Sequence, residues 1–311
     1  MLPTLLRVLM IGNSFSVCVG NQMPQVVRSM PGYELELTSA YIGGCSLERH
    51  WNNVVETESN AEAKQYAVKV WKSAGDGEIK PESYQGSINE LISRDAWDVI
   101  TIQQASPNSW NYETYQPFAD NLVKYIHEKA PNAKIWIQQT WAYRADDGRI
   151  LPGGAWGFDQ AGMHERIVEA YGSLAAHLDA PVIPTGLAVK LFRDRVEKPF
   201  VVPTAEEKAA LVPPALPEQS GDIVGNYWWK KDKDDPEKQT LSADTIHLNG
   251  QGHYLQACVW FLRLYGVESF PESVYAPDWM SPERAKLIRS CAEDAVKEFA
   301  KNDSKKETET K

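Results

Sequence analysis

Arg7-Val8-Leu9-Met10-Ile11-Gly12-Asn13-Ser14-Phe15-Ser16 decides the fold class. An unbroken apolar run ends on a glycine and passes directly into residues suited to starting a helix. A strand with no polar alternation is buried on both faces, as in a parallel sheet covered by helices. The pattern recurs along the chain. Apolar runs at Glu34–Tyr41, Asp98–Gln103, Lys134–Gln139 and Pro181–Pro184 alternate with amphipathic stretches at Asn21–Met30, Ser87–Arg94, Tyr115–Lys129, Gln160–Leu178 and Gly252–Tyr265. A helix after each strand returns the chain right-handedly to a parallel neighbour. The expected architecture is α/β, a three-layer α/β/α sandwich with a mostly parallel central sheet.

Of 311 residues, 43% are apolar, enough for a packed core. No internal repeat or Gly/Ser linker divides the chain, so residues 1–300 are expected to form one domain with an insertion at about 196–240. Within it, Lys198–Gln239 is rich in proline and contains Trp228-Trp229 and the charge run Lys230–Lys238. It is too long for an ordinary connection, which predicts a lid or surface loop. Ala67–Glu82 alternates around Asp76-Gly77 and predicts a hairpin, a small ribbon outside the sheet. Residues 301–311 form a charged tail, expected to be disordered.

Charge and cysteine usage exclude several functions. With 32 basic and 42 acidic residues the net charge is -10, and no basic stripe offsets it, so nucleic acid is not a partner. No apolar run approaches the ~18–20 residues of a membrane span. Cys18, Cys45, Cys258 and Cys291 lack ligand spacing, so neither metal nor cofactor is expected. Buried thiols are the default over a Cys18–Cys45 disulfide. Leu5–Gly12 is too short for a secretory core, which leaves a cytoplasmic protein, or an exported one (periplasmic or secreted) if a signal peptide has been removed. Composition sets no oligomeric state.

In open parallel sheets, ligands bind beyond the carboxyl ends of the strands, so the residues after each apolar run carry the chemistry. Ser14 follows the first run, where it could cap a helix or present its hydroxyl to a cleft. Far along the chain, Asp244-Thr245-Ile246-His247 precedes the last core helix. Three residues apart, the carboxylate can accept the Nδ1–H of the imidazole and leave Nε2 as a base. Alone, such a pair is as often structural as catalytic. With a strand-end serine it completes a nucleophile, base and orienter. There is no G-x-S-x-G elbow and no phosphate-cradling glycine loop. His50 and His253 are isolated and read as structural, and Asn13 as the residue holding its turn.

These blocks resemble those of the SGNH (GDSL-type) hydrolases, in order and over residues 7 to about 265. Gly12-Asn13-Ser14 is similar to the first block, with Asn13 in place of the usual Asp and Ser14 as the nucleophile. Gly43-Gly44-Cys45-Ser46 is similar to the second, with Gly44 aligned to the glycine whose N–H serves the oxyanion hole. Asp244 and His247 match the last. The third departs from Gly-x-Asn-Asp: Gln104-Ala105-Ser106-Pro107-Asn108 is instead similar to a run in carbohydrate acetylesterases of the superfamily. Gln104 is then the first candidate for the amide donor and Asn108 the second. Gly-Asn-Ser-Phe-Ser, Thr-Trp-Ala-Tyr and Ile-His-Leu-Asn resemble an uncharacterised, mostly bacterial branch.

The resemblance implies a flavodoxin-like SGNH fold and a serine esterase acting on a small-molecule or carbohydrate ester, with O-acetyl as the acyl group. Ser14, His247 and Asp244 would form the triad; the N–H groups of Ser14 and Gly44 would serve the oxyanion. Loop aromatics motivate the sugar: Trp51, Trp110, Trp141, Tyr143, Trp156, Trp228 and Trp229 fall near strand ends or in the insertion. Trp110, Trp141, Tyr143 and Trp228 are the expected substrate contacts, and Trp51 packs behind the second block. A lipase or thioesterase is the second reading, and a glycan-binding protein that keeps the fold without catalysis is the third.

Overall fold

The computed structural model describes residues 4–309, apart from 95 and 236 and apart from the side chains from 301 onward. The tail expected at 301–311 has no described side chain, and its last two residues lie outside the described residues altogether. Seven strands form the main sheet: β1 (Thr4–Gly12), β2 (Tyr33–Tyr41), β3 (Tyr66–Lys72), β4 (Glu82–Gly86), β5 (Val99–Ile102), β6 (Lys134–Gln138) and β7 (Val182–Ile183). Their order is β4-β3-β2-β1-β5-β6-β7. β2, β1, β5, β6 and β7 run parallel, while β3 and β4 are antiparallel additions at one edge. From β1 the chain moves first to one side and later to the other, so the carboxyl end of β1 lies where the connections diverge and a crevice opens.

Helices pack against both faces. α3 (Leu47–Ser59), α4 (Ile88–Arg94) and α5 (Phe118–Lys129) contact one another, while α2 (Met23–Arg28), α7 (Thr185–Arg195) and α10 (Pro282–Glu309) each pack on α9 (Gly250–Tyr265). The core runs through the β1, β5 and β6 centres, where Val8–Ile11, Ile100, Ile102 and Ile137 are fully buried. This is the α/β sandwich read from the alternation, and α6 spans Gln160–Leu178 as read. Among the described residues no helix is long and apolar enough to cross a membrane.

Two expectations are corrected. The hairpin around Asp76-Gly77 is not outside the sheet: β3 pairs with β2 from Tyr41↔Ala67 to Glu36↔Lys72 and buries Tyr66, Val68 and Val70. A hairpin added to the sheet edge with one face buried is more favourable than a free two-stranded ribbon. Lys198–Gln239 is not one loop either. It contains α8 (Ala205–Ala209) and β8 (Val224–Lys231), and β8 pairs with β9 (Gln239–Leu248) as a separate antiparallel hairpin. β9 carries Asp244 and His247.

Candidate active site

Ser14 opens α1 (Ser14–Val17), directly after β1. The cap belongs to its neighbour: the Asn13 side chain accepts from Phe15 N at 3.0 Å, which leaves the Ser14 hydroxyl free of that role. Asn13 also donates to Cys45 O at 3.0 Å and accepts from Gln103 Nε2 at 2.7 Å. One buried amide thus ties together the loops after β1, β2 and β5, the three that meet at the crevice. Asn13 holds its turn, as its place in the sequence suggested.

The far block arrives on β9. In the tautomer that donates from Nδ1, His247 bonds Asp244 Oδ2 at 2.7 Å, and its Nε2 accepts from Ser14 Oγ at 2.9 Å. The second carboxylate oxygen of Asp244 accepts from Ile246 N at 2.8 Å and His247 N at 3.0 Å. Burial works to raise the Asp244 carboxyl, but these bonds, led by that from the imidazole, outweigh it and bring it down to about 2. It is therefore ionised at neutral pH and can stabilise an imidazolium. The Phe15 ring meets the His247 ring edge-on at 5.6 Å, and its other neighbour is Trp141, stacked at 4.1 Å. Trp141 Nε1 donates to Ile246 O at 2.9 Å.

Residues 7–200 match the family described as Domain of unknown function (DUF4886), which is more than half of the chain. The chain belongs to the DUF4886 family. A DUF4886 protein from Bacteroides uniformis, known from a crystal structure, is 26% identical, with a TM-score of 0.68 over 94% of this chain and 95% of that one. The chain also has structural similarity to a candidate SGNH hydrolase from Slackia heliotrinireducens (17% identity, TM-score 0.46, 82% and 97% covered). A candidate GDSL-like lipase from Parabacteroides merdae is similar at 13% identity, TM-score 0.44, covering 86% and 98%. No curated protein is significantly similar.

The remaining predicted residues of this DUF4886 protein divide sharply. Gly44 is exposed in the loop after β2 at φ +62, a backbone conformation that favours glycine. Its N–H has no partner among the described residues. Gln104 is corrected as an oxyanion donor. It is fully buried, its Nε2 donates to Thr114 O at 2.9 Å and Thr114 Oγ1 at 3.2 Å, and its Oε1 accepts from Leu47 and Ala105. Both amide hydrogens are committed to the scaffold. Asn108 is half-buried, and its side chain makes no hydrogen bond among the described residues, so it remains the free amide.

Two aromatic expectations are corrected as well. Trp141 and Tyr143 are fully buried. Trp141 stacks behind Phe15 as above, and the Tyr143 hydroxyl donates to Ser106 Oγ at 2.8 Å. Strand-end position alone does not say which way a large ring turns, and burial of the whole ring is the more favourable outcome. Trp110 is half-buried against Trp156 and Phe158, at 5.5 and 5.0 Å. Trp228 is 41% exposed on β8. Trp229 pins the insertion by donating to Ala215 O at 2.8 Å, and Trp51 packs partly buried on the core.

All four cysteines are buried free thiols, and burial pushes Cys18 and Cys45 up to about 12, far from a reactive thiolate. His50 lies fully buried on Tyr66, held down to about 3 by burial. Among the described residues no cluster of acids, histidines and cysteines is arranged to hold a metal. Sequence reasoning missed Gln103 as the partner of Asn13, the Phe15–Trp141 stack, and the acid–arginine run Arg144–Arg149 that grips β9. The run was visible as a charge pattern, but its target strand lies ~100 residues away.

Proposed function

We propose that this protein is a serine esterase that removes a small acyl group, O-acetyl in the simplest case, from a carbohydrate. The observation that carries the reading is the hydrogen-bonded relay Asp244–His247–Ser14 at the carboxyl end of β1. Ser14 Oγ attacks the ester carbonyl while His247 Nε2 takes its proton, and Asp244 stabilises the imidazolium that results. The oxyanion meets the N–H groups of Ser14 and Gly44 and the Asn108 amide, each donor contributing roughly 10²–10³ in rate. The imidazolium then protonates the departing alkoxide. Water attacks the acyl-enzyme with His247 again as base, and the freed acid leaves Ser14 regenerated.

The sugar reading rests on an exposed aromatic beside an amide. A cleft of about 560 Å³ lies between residues 216–220, Asn226 and the start of α9. Trp279, 60% exposed, forms one wall, and Asn249, two residues past His247, lines the floor. Asn249 is itself fully engaged, donating to Asp222 O and Gly225 O and accepting from Gln251 N and Gly252 N, but the exposed Asn226 side-chain amide makes no hydrogen bond among the described residues. A flat indole beside a free amide suits a polar ring, and it favours a polar alcohol portion over the acyl-chain tunnel of a lipase or thioesterase. The test is Ser14→Ala: hydrolysis of p-nitrophenyl acetate and of acetylated oligosaccharide should disappear while the circular dichroism spectrum is unchanged. Retained turnover overturns the reading. Glycan binding by a wild-type protein that hydrolyses neither ester identifies a non-catalytic binding protein instead.

A further inference from the structure

Asp244 and His247 form a locally rigid unit, because Asp244 accepts from the backbone of Ile246 and His247 as well as from the imidazole. Where that unit points depends on what holds β9 from outside. Among the described residues, three hydrogen bonds reach Thr245 and Ile246 from outside the hairpin, and all come from the loop after β6. Arg144 N donates to Thr245 O at 2.8 Å, Trp141 Nε1 donates to Ile246 O at 2.9 Å, and the Thr245 hydroxyl donates to Asp147 Oδ2 at 2.6 Å.

The carboxylates of that loop are themselves immobilised. Arg149 Nε and Nη2 donate to the two oxygens of Asp147 at 2.7 and 2.6 Å. Arg144, fully buried, donates from Nε and Nη2 to Asp146 at 2.6 and 2.9 Å. The Tyr227 hydroxyl of β8 donates to the same Asp146 carboxylate, and the Arg144 guanidinium lies 4.4 Å from the Tyr227 ring centre. Each arginine–carboxylate pair therefore holds one strand of the hairpin: Asp146 holds β8, and Asp147 holds β9. The hairpin is seated closely enough to require Gly225. At φ +79 in the bulge opposite Asp244, an added Cβ would stand 2.3 Å from the Asp244 carbonyl oxygen and 3.1 Å from the Arg144 guanidinium.

Buried ion pairs are weak contributors to stability, since well-packed apolar residues replace them with little loss. What the bidentate forks do supply is direction: a planar guanidinium fixes both carboxylate oxygens at once. We propose that Asp147 and Thr245, backed by Arg149, are positioning residues that hold the imidazole of His247 within reach of the Ser14 hydroxyl. This rests on the esterase reading of the triad. A purely structural role predicts a change in melting temperature with the turnover of the folded protein intact. A positioning role predicts the reverse emphasis.

The experiment compares Thr245→Val, which keeps the shape and removes the hydroxyl, with Thr245→Ser, which keeps the hydroxyl. Valine should lower kcat on p-nitrophenyl acetate by about ten- to hundredfold, the scale of an ångström-sized misplacement of a catalytic group, with KM nearly unchanged. Serine should recover most of that loss. The low-field proton resonance of the His247 Nδ1–H should shift or broaden in the valine variant and return in the serine variant. If Thr245→Val fails to fold, Arg149→Gln, at a part-exposed side chain, frees the same Asp147 carboxylate and should lower kcat in the same way. Wild-type kcat and an unmoved resonance in the folded variant overturn the proposal, as does an equal loss in the valine and serine variants. Turnover retained by Ser14→Ala would instead remove the esterase reading, so the two failures are separable.

Discussion

Replacing Asp244 by asparagine changes one atom of the site and should abolish most of its turnover. The asparagine Oδ1 can still accept from Ile246 N and His247 N, as the carboxylate does at 2.8 and 3.0 Å, so the local turn survives. The other position becomes an NH₂ facing His247 Nδ1, where the carboxylate now accepts at 2.7 Å. Two donors cannot face each other, so the neutral imidazole must move its proton to Nε2. That nitrogen then no longer accepts from Ser14 Oγ, from which it stands 2.9 Å away. In serine hydrolases of this design the wrong tautomer costs about 10⁴ in kcat, equivalent to roughly 5.5 kcal/mol at 1.36 kcal/mol per tenfold. The assay is p-nitrophenyl acetate hydrolysis at saturating substrate, read beside the thermal midpoint. A tenfold loss or less, in a protein melting where the wild type melts, would refute the role given to the carboxylate.

Other consequences follow from the same geometry. Asn108→Ala should lower kcat by roughly 10²-fold without moving the melting temperature, because its side-chain amide makes no hydrogen bond among the described residues, whereas Gln104→Ala should chiefly destabilise it. Trp141→Ala removes a fully buried ring at a cost of about 3–5 kcal/mol, seen as a lowered midpoint in thermal denaturation, while the exposed Trp228→Ala should stay within about 0.5 kcal/mol. The Asp244 carboxyl lies below the unfolded range, so its stabilising contribution is complete above about pH 4 and lost only as pH falls through about 2. Thermal midpoints followed from about pH 6 down to about pH 2 check this: the fall below about pH 4 should be smaller in Asp244→Asn than in the wild type, and an identical fall in the two proteins contradicts it.

How far the sequence carried the reading depended on how local each feature is. Val8–Ile11 announces a central strand because burial on both faces leaves no room for polar alternation. Gly12-Asn13-Ser14 follows from the chain's need to turn there, and the three-residue spacing of Asp244 and His247 is a short-range fact that the hairpin preserves. What stayed hidden depends on distant partners. Gln104 looks like a free amide in sequence, yet Thr114 and Leu47 take up its hydrogen bonds from two other segments. Trp141 and Tyr143 occupy the strand end as read, but their rings turn inward onto Phe15 and Ser106. Nothing in Lys198–Gln239 marks Val224–Lys231 as the partner of β9, because that pairing is decided by a hairpin whose turn sequence, 232–238, is charged but for Pro236 and carries no glycine.

The most direct measurement is the intact mass of the protein after exposure to a fluorophosphonate, followed by peptide mapping. One phosphonyl group per chain, on Ser14 and absent from both Ser14→Ala and His247→Ala, is the result predicted by a hydroxyl activated by its imidazole partner. A chain that stays unmodified, or that carries the label on another serine, would contradict it.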